Sequence, residues 1–164
     1  RVVAAVTALA KPVQGCTVKS LGALRYASTA SPDFVRRYFP NGVTAEAIAR
    51  APALTFNQKD LLQQDWVRRT FKQSVVFPTH WLPSTQAFVD ASVEGLGWAL
   101  NPVQLVQRHL ASGQLVELVP GAYLERSLFW QVNRLSANRL SPLTQAIKET
   151  ARRELTTAHG DPIA

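Results

Sequence analysis

The chain has 164 residues, 46% of them hydrophobic and 18% charged, which suits one or two small domains with a packed core and excludes a disordered chain. No apolar run reaches the length of a membrane span, and the single Cys16 excludes an internal disulfide. The formal charge of +7 suits nucleic acid or an acidic partner, but Arg36-Arg37, Arg68-Arg69, Arg134 with Arg139, and Arg152-Arg153 fall on separate elements, which reads as a solvated surface.

The opening residues 1–10 are apolar behind a base, as in an export signal, but β-branched residues, the interruption at Thr7 and the following Lys11-Pro12 predict a strand over 2–9. The chain contains no Met, so it is not expected to start where its gene starts. Short strands are expected over 17–19 and 21–29. Ser31-Pro32-Asp33 is a helix start, with cap, Pro and acid in order, and predicts a helix over 32–39 that ends before Pro40-Asn41-Gly42. Thr44 caps a second helix over 45–50, and Pro52 breaks it. A strand over 53–56 then leads into the loop Asn57-Gln58-Lys59-Asp60. Asp60 with Gln63 fits a capping box for a helix over 61–71. Residues 75–77 and 79–82 supply the next strand.

The stretch from Pro83 to Pro102 organises the rest. Ser84 or Thr85 caps a short helix whose apolar side is Ala87, Phe88 and Ala91. Gly95 suits its C-terminus, and Trp98-Ala99-Leu100 reads as a buried strand. Strand, helix and strand make a parallel crossover. A helix over 103–111 closed by Gly113, strands over 115–119 and 123–132, and a last helix from Ser141-Pro142 complete the chain. Leu143, Ile147, Ala151 and Leu155 predict a buried face on that helix, and the tail from Thr156 is expected to fray. The alternation is an α/β plan with a mostly parallel sheet.

Chemistry is sparse. His80, His109 and His159 stand apart, no His/Cys cluster has metal spacing, and no nucleophile elbow, P-loop or dinucleotide fingerprint occurs. No cofactor and no catalytic residue are expected. What remains is a set of polar residues at strand ends: Thr7, Asn57, Asp60, Ser84, Thr85, Gln86 and Asn101. In open α/β sheets ligands bind at the carboxyl edge, where helix N-termini favour anions. A ligand carboxylate suits the Ser84/Thr85 helix start, and a cationic group suits Asp60 with Asn57 and Asn101. The plain alternative is that Ser84 and Thr85 are only caps and that Asn57 and Asp60 serve local turns.

The order of residues also carries a resemblance. Leu21-Gly-Ala-Leu-Arg-Tyr26, Ala30-Ser-Pro-Asp-Phe34, Tyr38-Phe-Pro-Asn-Gly-Val-Thr44, Ala51-Pro52, Gly95-Leu-Gly-Trp-Ala-Leu-Asn-Pro102, Leu110-Ala-Ser-Gly-Gln-Leu-Val116 and Leu128-Phe-Trp-Gln131 together resemble the effector domain of LysR-type transcriptional regulators. More narrowly they resemble the ArgP/LysG branch, which controls basic amino-acid export. The likeness runs from Val2 to about Leu155.

The resemblance implies a periplasmic-binding-protein-like (type 2) fold, two Rossmann-like lobes joined by two crossing strands. Residues 21–29 and 128–134 would be the crossings, 30–127 the second lobe, and 1–20 with 135–164 a partial first lobe. It implies L-lysine or L-arginine as effector, bound between the lobes, with Thr7 and Ala8 on the first lobe and Asn57, Asp60, Ser84, Thr85 and Asn101 on the second. It also implies a cytoplasmic homodimer or homotetramer that meets DNA only through an N-terminal winged helix-turn-helix domain, which this chain lacks. Two other readings are a periplasmic solute-binding protein for an amino acid, and an enzyme. The first needs an export signal and the second a converging acid/base or metal set, and the sequence presents neither.

Overall fold

The computed structural model describes residues 2–156. The chain divides into two compact units. The first takes the chain up to Arg25 and again from Glu125; the second is Tyr26–Leu124. Strands β2 (Cys16–Ala30) and β7 (Leu124–Asn133) each run from one unit into the other.

The second unit holds α1 (Pro32–Tyr38), α2 (Ala45–Ile48), β3 (Ala53–Thr55), α3 (Leu62–Phe71), β4 (Thr79–Trp81), α4 (Thr85–Val93), β5 (Ala99–Pro102), α5 (Val103–Ser112) and β6 (Val116–Glu117). Three of these helices, α1, α2 and α4, start where a short oxygen-bearing side chain accepts an orphan N–H. Ser31 Oγ accepts from the Phe34 N–H at 3.1 Å and Thr44 Oγ1 from that of Ala47 at 3.2 Å. Gly95 leaves α4 at φ +77°, a conformation costly for any residue with a Cβ.

The core of this unit is aromatic. Trp66 and Trp98 are fully buried, with ring centroids 5.5 Å apart, and Phe77 stands 5.4 Å from Trp98. Both indole N–H groups find backbone carbonyls, Trp66 on Ala122 at 2.7 Å and Trp98 on Ala51 at 3.3 Å, so the rings bury area without stranding a donor.

Strands β3 and β4 are parallel, with Leu54 opposite His80, and a parallel bridge joins Ala53 to Trp98 at the entry to β5. The crossover through α4 is therefore present, and it passes over β3. The remaining pairings depart from the parallel plan. β5 runs antiparallel to β2, with Ala27 opposite Asn101, and β6 pairs antiparallel with β2 at Thr29 and Ala30. Strand direction is set by which neighbour a strand meets, and a run of apolar residues does not encode it.

In the first unit β1 (Ala4–Thr7) pairs antiparallel with β7, Ala4 opposite Val132 and Thr7 opposite Phe129. The Gln131 amide fastens the following loop, accepting from the Val13 N–H at 3.2 Å and donating to the Leu9 and Lys11 carbonyls at 3.3 Å. A short 3-10 turn at Arg134–Ser136, capped by Asn133 and not foreseen, precedes α6 (Ser141–Glu154).

Two further expectations change here. The strands expected over 17–19 and 21–29 are one continuous strand, because Gly22 adopts φ +108° and lets the chain continue beside Thr156. A Cβ on Gly22 would stand 2.6 Å from the Thr156 carbonyl oxygen. Thr156 is itself tied by two main-chain bonds to Ala23, at 2.8 and 3.0 Å; the rest of the tail expected to fray, with His159, lies outside the described residues.

The α6 face also turns. Leu143 is 47% exposed, and the helix docks through Thr144, Ile147 and Ala151, with Thr144 Oγ1 accepting from the Trp130 indole at 3.0 Å. A four-residue step overshoots a turn of about 3.6 residues, so a Leu143–Leu155 row winds off one face, whereas a three-then-four step stays on it.

Candidate functional site

The parallel pair β3–β4 ends at Thr55 and Trp81, and the Leu82 N–H still reaches the Thr55 carbonyl at 3.0 Å. The chain leaves β3 through Phe56–Asp60 and enters α3. This loop is held by its own short side chains. Asn57 Oδ1 accepts from the Lys59 N–H at 2.8 Å, and the Asn57 carbonyl accepts from the Asp60 N–H at 3.0 Å. Asp60 Oδ2 accepts from the Phe56 N–H at 3.0 Å and Oδ1 from the Leu62 N–H at 3.1 Å. The turn and capping roles expected for Asn57 and Asp60 are thus both present. They do not exhaust the carboxylate, which has about four lone-pair sites and uses two here. They hold it in place, so it can receive a cation without first being ordered.

Against this loop lies a cavity of about 230 Å³, lined by Thr55, Asn57, Gln58, Asp60, Gln63, Gln64, Phe77, Thr79 and Trp81. Among these residues Asp60 alone carries a charge. Four amides, two hydroxyls and two aromatic residues complete the wall. The volume falls below the range of about 300–1,000 Å³ typical of drug-sized ligands, and suits one end of a small molecule. Of the residues expected at a ligand edge, Asn57 and Asp60 line this cavity.

The capping box expected between Asp60 and Gln63 does not form. The Asp60 N–H goes to Asn57, and Gln63 is 1% exposed, with no partner among the described residues for either Oε1 or Nε2. A buried polar group left unpaired costs about 1–3 kcal/mol. Gln63 lies on the buried face of α3 with Trp66 and Val67, three and four residues on. That spacing, a polar residue where the helix wants an apolar one, was the signal in the sequence that a capping role hid. Phe77 and Trp81 had read only as strand residues.

The other expected residues lie elsewhere. Ser84 caps α4 through the Ala87 N–H at 3.4 Å, and Thr85 and Gln86 are exposed, with Gln86 Nε2 donating to Asp90 Oδ1 at 3.0 Å. None of the three lines the cavity. Asn101 does not present its side chain at an edge: it is fully buried, donating to Thr29 Oγ1 at 2.8 Å and reaching Ser92 Oγ at 3.4 Å, which ties β5 to β2 and α4. Thr7 and Ala8 belong to the first unit, where Thr7 Oγ1 accepts from the Leu9 N–H at 3.1 Å and Ala8 is exposed. Among the described residues no three His, Cys, Asp or Glu side chains gather where a metal would bind, and no helix is long and apolar enough to cross a membrane.

Comparison with known proteins bears directly on this arrangement. The family model for the LysR substrate binding domain matches residues 4–156. The chain belongs to the LysR substrate-binding domain family.

This LysR domain is 43% identical over 136 residues to the HTH-type transcriptional regulator ArgP of Pseudomonas aeruginosa, covering 83% of the chain and 45% of that protein. It spans about half the length of the curated relatives it matches. The structure of the C-terminal domains of a LysR family protein from Agrobacterium tumefaciens superposes with a TM-score of 0.94 at 60% identity, over 96% of this chain and 76% of that one. Full-length LysG from Corynebacterium glutamicum, solved with bound effector Arg, matches with a TM-score of 0.83 at 31% identity, over 94% of this chain and 53% of that one. The fold is the periplasmic-binding-protein-like α/β fold of LysR effector domains. The ArgP/LysG resemblance holds, and these relatives are transcriptional regulators, neither solute-binding proteins nor an enzyme family.

Proposed function

We propose that this chain is the effector-sensing part of a LysR-type regulator that responds to L-lysine or L-arginine and controls basic amino-acid export or metabolism. The observation that carries the reading is the Asp60 carboxylate, held by two main-chain N–H groups at the wall of a small cavity of amides and aromatic rings. A fixed anion beside neutral hydrogen-bonding groups selects a cationic side chain. Relatives named ArgP and LysG, and a LysG structure with bound arginine, support the same class of ligand.

On this reading Asp60 and Asn57 meet the cationic end of the effector, and the expected contacts of Ser84, Thr85, Gln86, Asn101, Thr7 and Ala8 stay part of the proposal. The second unit stands for the second lobe and the first unit for the incomplete first lobe. The regulator is not an enzyme, acts in the cytoplasm as a homodimer or homotetramer, and meets DNA through an N-terminal domain outside this chain. Effector binding works by population shift: it favours one arrangement of the assembled regulator to the extent that it binds that arrangement better.

Calorimetric titration with L-lysine, L-arginine and L-leucine, on a sample whose thermal melt shows it folded, tests this. Saturable heat with a basic amino acid and none with leucine is the expected result. Equal heats with leucine refute selection of a cationic side chain, and no heat with either basic amino acid refutes effector binding by this chain. Asp60→Asn removes the charge and keeps an acceptor; it is expected to weaken binding about 10- to 100-fold, the equivalent of about 1.5–3 kcal/mol for a charge-assisted hydrogen bond.

A further inference from the structure

The side chain of Gln63 has no evident structural task. It is 1% exposed, neither polar atom has a partner among the described residues, and it shares the buried face of α3 with Trp66 and Val67. It nonetheless lines the cavity that Asp60 and Asn57 line. A buried amide that serves only the fold is hydrogen-bonded, and one that is not would be replaced to advantage by an apolar side chain of its size. We propose that Gln63 is a specificity-determining contact for the effector: its amide oxygen accepts an N–H of the ligand's cationic end while Asp60 supplies the opposing charge.

This inference rests on the effector reading of the cavity, and it adds what that reading lacks. Asp60 alone offers charge, which any cation satisfies. An amide carbonyl fixed in the wall adds a neutral acceptor at a defined place. Ammonium and guanidinium groups both carry several N–H donors and can use two acceptors at once. A ligand without a donor there leaves the amide unpaired, so the site rejects it more strongly than shape alone would. Gln63 therefore separates polar-ended from apolar-ended amino acids, and its position at the start of α3 ties that selection to the Asp60 turn.

The test is Gln63→Leu in the full chain, read by thermal melting without ligand and by calorimetric titration with L-arginine, L-lysine and L-leucine. The expected result is a melting temperature equal to or above that of the unsubstituted chain, together with at least tenfold weaker binding of the basic amino acids. A lower melting temperature would mean that the amide supports the fold, and overturns the inference whatever the titration shows. Unchanged affinity at unchanged stability overturns it as well. If the unsubstituted chain binds neither basic amino acid, the effector reading has failed and the proposed contact falls with it; binding by the unsubstituted chain that Gln63→Leu leaves unchanged overturns the contact alone. Gln63→Glu separates contact from shape: it keeps the oxygen and adds charge, so it is expected to restore binding of the cations that Gln63→Leu loses.

Discussion

The second unit buries Trp66, Trp98, Ile48, Leu54, Leu100 and Leu115 almost completely, and its loops are set by side-chain caps at Ser31, Thr44 and Ser84. The first unit buries Ala23, Trp130, Val132 and Ala151, while Val2, Val3 and Val6 of its first strand region stay at 44% exposure or more. Its order comes from main-chain pairing of β1 with β7 and of Ala23 with Thr156, and from the Gln131 amide. Burial of large side chains supplies free energy in proportion to area, whereas backbone pairing contributes little net gain over bonding to water. The difference teaches where each unit is vulnerable: the second through side-chain volume, the first through backbone geometry.

The largest effect expected is in the second unit. Trp98→Ala removes a ring in contact with Trp66 and Phe77 and an indole bond to Ala51, and should cost about 3–5 kcal/mol in denaturant unfolding. If the contrast holds, amide exchange at Ala23 and Thr156 stays near its original rate. Equal acceleration in both units would show that they unfold together and would break the comparison.

Gly22→Ala is the counterpart in the first unit. The residue sits at φ +108°, and its new Cβ would meet the Thr156 carbonyl at 2.6 Å, for a cost of about 1–3 kcal/mol. Exchange at Ala23 should quicken while the near-ultraviolet signal of the buried tryptophans in the second unit is kept. Unchanged exchange at Ala23 would show that the Thr156 pairing does not hold this unit.

The smallest effect concerns charge. Lys148 on α6 sits below the usual lysine range, first through its side-chain contact with Lys19, then through the Lys19 charge, burial and Arg152. A lysine lowered in the folded state holds its proton less tightly than the unfolded chain does. Its repulsion is fully present below the lowered value, and stability rises with pH between that value and the ordinary lysine value. Lys19→Gln should raise the Lys148 titration midpoint, read by NMR of its side chain. An unmoved midpoint would remove Lys19 as the cause.

Much of the local plan was legible in the residues. Ser31-Pro32-Asp33, Thr44 and Ser84 marked helix starts because an N-cap is a contact between residues three apart. Gly95 and Gly113 marked helix ends because only glycine takes a left-handed conformation cheaply. Asn57 and Asp60 pointed to the cavity because polar residues after a parallel strand gather at one edge. Asn101 obeyed the same logic and yet turned inward, since the face a strand residue takes depends on its partner, here Ala27 of β2.

The sequence by itself determined the order of strands and helices, most of their caps, and the family to which the chain belongs, because these rest on neighbours within a few residues or on the pattern of the whole. The tertiary structure decided the antiparallel pairing of β5 and β6 with β2, the continuous run through Gly22, the face on which α6 docks, and the burial of Gln63 in the wall that Asp60 also lines. Each of these depends on a partner distant in the chain, which local propensity cannot specify.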